Sequence, residues 1–343
     1  MLIIDCIPEA RGWSPIRHMV ALAAELLGAD VLTVDHRHPS TPAKLLAIAR
    51  GRNAAGAAGE QCLMVCVAPG DLLKLLRVAD WRRRFRLLTA WVIDSFWLDH
   101  IPLSIRTNNP FDHFFVTSLE DVPGWRKLTG VPTTWLPWGA DALRLGSIAQ
   151  QRPWDVTRVG RQPPQWEDDA AAVAAAEKLG IVYQGRPPSH NLNTLENQRL
   201  LMNVYRSSKY VLAFSNSVNR EKYTHPTSEY LTGRWVDSLA CGAVVAGVAP
   251  RSESTAELLW PGATLELGGI ERDPGLQVLA DAIKQWTAAT ALRNGAAALR
   301  KLDWRWRLKV VADTFGVRST QLETELAQLQ ERATDIERAV PTL

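Results

Sequence analysis

The chain has 343 residues, 46% apolar and 22% charged, enough apolar material for sizeable cores and long enough for a single core to divide, so two domains are expected. A net charge of +3 suits anionic ligands and is too small to mark a dedicated nucleic-acid protein. The four scattered cysteines, Cys6, Cys62, Cys66 and Cys241, exclude a disulfide framework and fit buried thiols in a reducing compartment.

The amino terminus "MLIIDCIPEA" has no basic region ahead of its short apolar run, and no eighteen-residue apolar stretch occurs, so a soluble cytoplasmic protein is expected. "LIIDCI" reads as a strand and "PEARGW" as a break. Ser14-Pro15 reads as an N-cap with proline at the first helical position, ahead of Ile16, Met19, Val20, Ala23 and Leu27 at helical spacing. "ADVLTVDH" returns to a strand, and further strands follow at "QCLMVCVA", "LLTAWVID", "HFFVTS" and "TTWLPW". Cys62 and Cys66 share one face of their strand and lack any partner at zinc spacing, so no metal site is expected there. Strands alternating with helices imply a doubly wound parallel sheet.

The pattern stops near "LPWGADALRLGSIAQQRPWD" and begins again with "WDVTRVG", the helix "DDAAAVAAAEKLG", "IVYQG", a helix around "NQRLLMNVYRSS", "YVLAFSN", the helix "GRWVDSLACG" and "AVVAGVA". This predicts an amino-terminal domain over 1–143, a second over 150–300 and a carboxyl-terminal helical segment over 301–343. Two such halves imply a cleft fed by the carboxyl ends of both sheets. In the last segment Leu322, Leu326, Leu329, Ala333, Ile336 and Val340 alternate by four and three. That heptad spacing suits either a helix packed on its own body or a homodimer.

"SEYLTGRWVDSLACGAVVAG", residues 228–247, places Glu229, Arg234 and Asp237 just ahead of an apolar strand. With Thr232 as N-cap, Trp235, Val236, Leu239 and Ala240 form the buried face, while Arg234, Asp237 and Cys241 lie on another. The free amides at Thr232–Gly233 suit a phosphate, Arg234 can grip the same anion, and Asp237 can accept hydrogen bonds from vicinal hydroxyls. The plainer alternative is a surface ion pair between Arg234 and Asp237 with Glu229 solvated.

The segment resembles the acidic-x7-acidic motif of retaining GT-B glycosyltransferases of the family-4 type, and in particular the CgeB-like "glycosyl transferases group 1" branch. Glu229 and Asp237 have the required separation, with aspartate where the family usually has glutamate. "LPWGAD" is similar to the "LPxGxD" at the crossing between GT-B domains, and "VTRVGR" to the first strand of the donor domain. There Arg161 matches a diphosphate-gripping arginine, but "QPPQW" stands where the family has a lysine. "LTAWVIDSF" resembles the CgeB-like strand ending in an aspartate, here Asp94.

The resemblance implies an α/β GT-B fold of two Rossmann-like domains and a hexosyl or other glycosyl transfer from a nucleotide-diphosphate sugar. The transfer would proceed with retention and without a metal or other cofactor. Glu229 and Asp94 would be catalytic, and Arg161, Glu229, Thr232, Gly233, Arg234 and Asp237 would bind the donor. The leaving diphosphate would be stabilised by Arg161, Arg234 and the helix amino terminus. On the acceptor side Arg11, Trp13, Arg17 and His18 follow the first strand, and "WRRRFR" suits an anionic acceptor or a membrane surface, though such a run is usually a solvated face. Tryptophan stacks on sugars, yet core packing accounts for most of the fourteen.

Rival readings are a sugar-nucleotide epimerase, an inactive GT-B scaffold serving as a partner subunit, and a glycosyltransferase acting on nucleic acid with salt-sensitive affinity. A dinucleotide enzyme is disfavoured because no G-x-G-x-x-G follows either opening strand.

Overall fold

The computed structural model describes residues 1–34, 40–41, 56, 58–187, 193–218, 220–221 and 224–340. The chain divides into two compact units, Met1–Pro137 with Arg307–Leu322, and Trp138–Trp306 with Glu323–Leu343. The segment 301–343 is therefore shared between the units and does not stand apart.

The first unit carries six parallel strands in the order β2-β1-β3-β4-β5-β6. They are β1 Leu2–Asp5, β2 Asp30–Thr33, β3 Glu60–Cys66, β4 Phe85–Val92, β5 His113–Val116 and β6 Thr133–Trp135. Residues 35 and 36, read from sequence as the end of the second strand, lie outside the described residues. The central strands are continuous apolar runs because a parallel sheet is covered on both faces. Helix α1, Ser14–Leu27, starts one residue earlier than the sequence suggests: Trp13 occupies the cap position, and Ser14 is inside the helix beside Pro15. Trp91, Trp125, Phe85 and Phe114 are fully enclosed in this core, which places these aromatics in packing. In "WRRRFR", Trp81 and Phe85 are buried, and Arg82 lies over the Trp81 ring at 4.5 Å.

The second unit carries five parallel strands in the order β11-β10-β9-β7-β8. They are β7 Trp154–Arg158, β8 Tyr183–Gln184, β9 Ser208–Phe214, β10 Val244–Val248 and β11 Thr264–Glu266. Strand β11 has no counterpart in the sequence reading, because three half-covered residues carry no pattern. The helices that matter here are α2 Asp169–Glu177, α3 Thr194–Arg206, α4 Gly233–Ala240, α5 Arg272–Gln285, α6 Ala288–Lys301, α7 Trp304–Phe315 and α8 Thr320–Ala339. Asp168 caps α2 through its side chain, and Asn193 with Glu196 forms a capping box on α3.

The motif aspartate of "LPWGAD" enters a buried charge cluster. Arg305, fully enclosed, lies 2.8 Å from Asp141 and 2.9 Å from Asp303, and it also meets Glu325 on α8. The heptad residues Leu326, Leu329, Ala333 and Ile336 are buried within this chain, so the face that suggested a homodimer is already covered. Among the described residues no helix is long and apolar enough to cross a membrane.

Candidate functional site

Open parallel sheets present ligands to the carboxyl ends of their strands. In the second unit β7 ends at Arg158, which is 2% exposed and reaches Asp169 at 2.6 Å, Glu167 at 3.0 Å and the carbonyl of Gly160 at 3.1 Å. These contacts neutralise Arg158 and fix the turn that follows. Gly160 lies in the left-handed region at φ 69°, and a Cβ there would stand 2.7 Å from Arg234 Nη2. Arg234 Nη1 donates to the main-chain carbonyl of Arg161 at 3.1 Å. Burial lowers the Arg234 pKa from its ordinary value; Tyr205 opposes that shift, and Arg161 and Arg158 add to it. The Arg161 guanidinium is half-buried and 3.9 Å from Glu221, too far for a hydrogen bond.

Arg234 is the second residue of α4, and Thr232 stands at its cap with no side-chain cap hydrogen bond. That differs from the expected Thr232 cap, and it leaves the helix amino terminus without a local side chain competing for its amides. Glu229, in the loop before α4, accepts from Ser215 Oγ at the end of β9 and from the Arg251 amide at 3.1 Å after β10. Asn216 pins the same loop by donating to the Ser228 carbonyl at 2.9 Å. Arg161, Thr232, Gly233, Arg234 and Glu229 thus gather at one end of one sheet, and Glu229 is anchored there instead of standing free in solvent.

Asp237 is placed differently from the open face the sequence suggests. It is 1% exposed, and its Oδ2 accepts from Gln198 Nε2 of α3 at 2.9 Å. Its carboxyl is raised to about 7, by burial first, with the Gln198 bond opposing and Asp141 adding. Arg234 and Asp237, read as a candidate surface pair, take separate partners. Cys241 is also fully buried, so α4 is covered on the face expected to be open. In "QPPQW", Gln162 is buried and donates to the carbonyls of Val159 at 3.2 Å and Leu212 at 3.3 Å. Sequence reasoning did not find Ser215, Arg251 or Gln198, whose contacts link segments far apart in the chain.

Asp94 belongs to the first unit. It follows β4, and its amide donates to Val67 at 2.7 Å. Desolvation, with a repulsive contribution from Asp71, raises its carboxyl to about 7. Beside it Ser95 donates to Asp121 at 2.7 Å, and burial raises Asp121 to about 6. Of the residues expected near the first strand, Arg17 is taken up by Asp5 at 3.2 Å and Glu9 at 2.5 Å. Among the described residues no group of three or more His, Cys, Asp or Glu is placed to hold a metal ion.

No family model matches the chain, and no curated protein matches it. Solved structures do. The Anabaena protein HepE, in complex with UDP and glucose, is similar over 92% of this chain and 99% of its own, with TM-score 0.54 and 12% identity. A second HepE structure, with UDP, gives TM-score 0.54 at 13% identity, over 92% of this chain and 99% of its own. An apo structure of OtsA gives TM-score 0.53 at 11% identity, over 91% of this chain and 98% of its own. At such identities the likeness is one of fold: the chain has the α/β architecture of GT-B glycosyltransferases, two parallel-sheet domains with their helices.

Proposed function

We propose that the protein transfers a sugar from a nucleoside-diphosphate sugar to an acceptor, with the second unit holding the donor. The observation that carries this reading is the Arg234 guanidinium lying over Gly160 beside the amino terminus of α4. Two cations and a helix dipole lie there beside Glu221, 3.9 Å from Arg161, and Glu229, while Arg158 holds Glu167 and Asp169. A diphosphate is the ligand of matching charge. HepE, which shares the fold, was solved with UDP and glucose, so a uridine donor is the first to try.

In this reading Arg161, Arg234 and the amides near Thr232 and Gly233 stabilise charge growing on the leaving diphosphate. That electrostatic work is the larger part of catalysis when the sugar passes through an oxocarbenium-like transition state. Glu229, held by Ser215 and Arg251, orients sugar hydroxyls. Asp94, raised to about 7, orients the acceptor by accepting a hydrogen bond from its hydroxyl once ionised. Transfer with retention, with the departing phosphate oxygen taking the acceptor proton, needs little else from a protein base, and no metal or cofactor is assigned. A second reading, binding without turnover, draws on the enclosed Asp237 and on "QPPQW", which has no lysine where the resembling family carries one.

The test is thermal stability against UDP, ADP, GDP and dTDP and their sugars, followed by assay of sugar release with and without a panel of saccharide acceptors. A ligand bound only by the folded state at a hundredfold excess over Kd adds about 2.7 kcal/mol. Stabilisation by one nucleotide together with turnover supports transfer, and stabilisation alone favours the second reading. No response to any nucleotide removes the donor assignment.

A further inference from the structure

Between β3 and β4 the chain runs through the helical turns Pro69–Arg77, and between β4 and β5 through the short helix Leu103–Thr107. An apolar groove draws its walls from both. Leu72, Leu75, Trp81 and Ile105 form its floor, each no more than 5% exposed, and Leu73 and Leu76 are half-buried at its lip. Leu103, 62% exposed, precedes the lining residue Ser104. The groove holds about 270 Å³, open mouth included, below the roughly 300–1,000 Å³ of small-molecule sites, so it suits apolar side chains presented by another surface better than an enclosed ligand.

The rim is basic. Arg77 and Arg106 are exposed beside the lining residues Leu76 and Ile105, and Arg82 and Arg83 follow Trp81. Arg106 spends its N–H groups on the carbonyls of Leu98, Asp99 and Ile101, which leaves its charge in place. Arg82 lies 4.5 Å over the Trp81 ring, and its buried Nε has no hydrogen-bond partner. Of the neighbouring carboxylates, Asp71 is taken by Lys74 at 2.8 Å, and Asp80 is exposed. A second copy of this chain would set the arginines against themselves in a two-fold contact, where like charges repel. A bilayer accepts apolar side chains that protrude, and this surface is hollow. An amphipathic helix fills such a hollow with its apolar face and carries charge along its flanks. We propose that the groove docks an acidic amphipathic helix of a partner protein, with its apolar side chains on Trp81 and Ile105 and its carboxylates on Arg82, Arg83 and Arg106. Trp81 and Pro110 lead into the amino ends of β4 and β5, whereas Asp94 leaves the carboxyl end of β4, so a docked partner leaves the proposed reaction end open. Docking there is independent of what the second unit binds.

Fluorescence anisotropy of labelled synthetic helices of about eighteen residues, a length that spans about 27 Å, titrated with the full chain tests the proposal. One peptide carries a leucine face flanked by glutamate, a second the same face flanked by lysine, and a third the glutamates with serine in place of leucine. The first is expected to bind at least about tenfold more tightly than either of the others. Arg82→Glu combined with Arg83→Glu is expected to erase the preference for glutamate over lysine, and Arg82→Lys combined with Arg83→Lys to keep most of it. The first peptide should also slow hydrogen exchange over residues 72–76 and 104–108. Equal binding of the glutamate and lysine peptides overturns the proposal, as does a preference that survives in the folded Glu variant or protection confined to other segments. Failure of every peptide to bind overturns it too, and sedimentation of the chain with vesicles of phosphatidylcholine and phosphatidylglycerol in that case assigns the surface to a bilayer.

Discussion

Arg234 lies across the chain at Gly160, so close that a Cβ on residue 160 would stand 2.7 Å from its Nη2. The glycine is needed twice, for its φ of 69° and for the space the guanidinium fills. Gly160→Ala is expected to cost about 1–2 kcal/mol of stability from the left-handed backbone alone. It should also displace Arg234 and weaken nucleotide binding. Denaturant melts and calorimetry on the same variant separate the two effects, and unchanged nucleotide affinity would remove the role given to this contact.

The Asp141–Arg305–Asp303 cluster has no exposed member. Taking one partner from a buried ion pair leaves an uncompensated charge, and such losses run to about 3–5 kcal/mol. Asp303→Ala also removes the acceptor for the Leu143 amide at 2.9 Å. A loss near the upper end of that range is expected for Asp303→Ala, and a smaller one for Lys309→Ala, whose pair with Asp313 is largely exposed. Urea midpoints of the two variants check the contrast.

Asp237 makes stability depend on pH. Its pKa rises from 3.8 to about 7 in the fold, so the folded chain holds a proton that the unfolded chain gives up. The contribution to stability is complete below about pH 4 and is lost as pH climbs through 7. Asp237→Asn keeps the bond from Gln198 and cannot ionise, so it should gain on the wild type by about 1–3 kcal/mol between pH 5 and pH 8. Asp94 and Asp121 titrate in both proteins and cancel in the difference. A constant difference across that window would show that Asp237 is ionised throughout.

Asp94 carries a prediction for turnover. A carboxyl with a pKa of about 7 must lose its proton before it can accept a hydrogen bond from the acceptor hydroxyl, so transfer by the wild type should rise through pH 7. Asp94→Asn should lower turnover, remove that rise and leave nucleotide affinity in the second unit intact. A rise persisting in the variant assigns the ionisation to another group.

Much of the architecture was readable because "CLMVCV", "LLTAWV" and "YVLAF" are apolar without interruption, which is what strands covered on both faces require. Glu229, Thr232, Gly233 and Arg234 could be nominated because a loop, a helix start and a strand lie together in "SEYLTGRWVDSLACGAVVAG", and Arg161 because "VTRVGR" resembles the first donor-domain strand of the GT-B family. The burial of Asp237 was not legible, because its spacing from Arg234 suggested one shared face. What decides its setting is Gln198, 39 residues away. Arg305 and Asp141, 164 residues apart, are likewise joined only by the fold. Strand β11 escaped notice because "TLE" is too short and too exposed to show alternation.

Whether Arg234 holds the diphosphate of a nucleotide is read by titrating Arg234→Met with UDP and with UDP-glucose, beside wild type and Arg293→Met, a change at an exposed arginine. A charge-assisted hydrogen bond of about 1.5–3 kcal/mol corresponds to a loss of about ten- to a hundredfold in affinity. That loss is expected in Arg234→Met, with Arg293→Met matching the wild type. Equal affinity in all three would contradict it and remove the diphosphate from this end of the sheet.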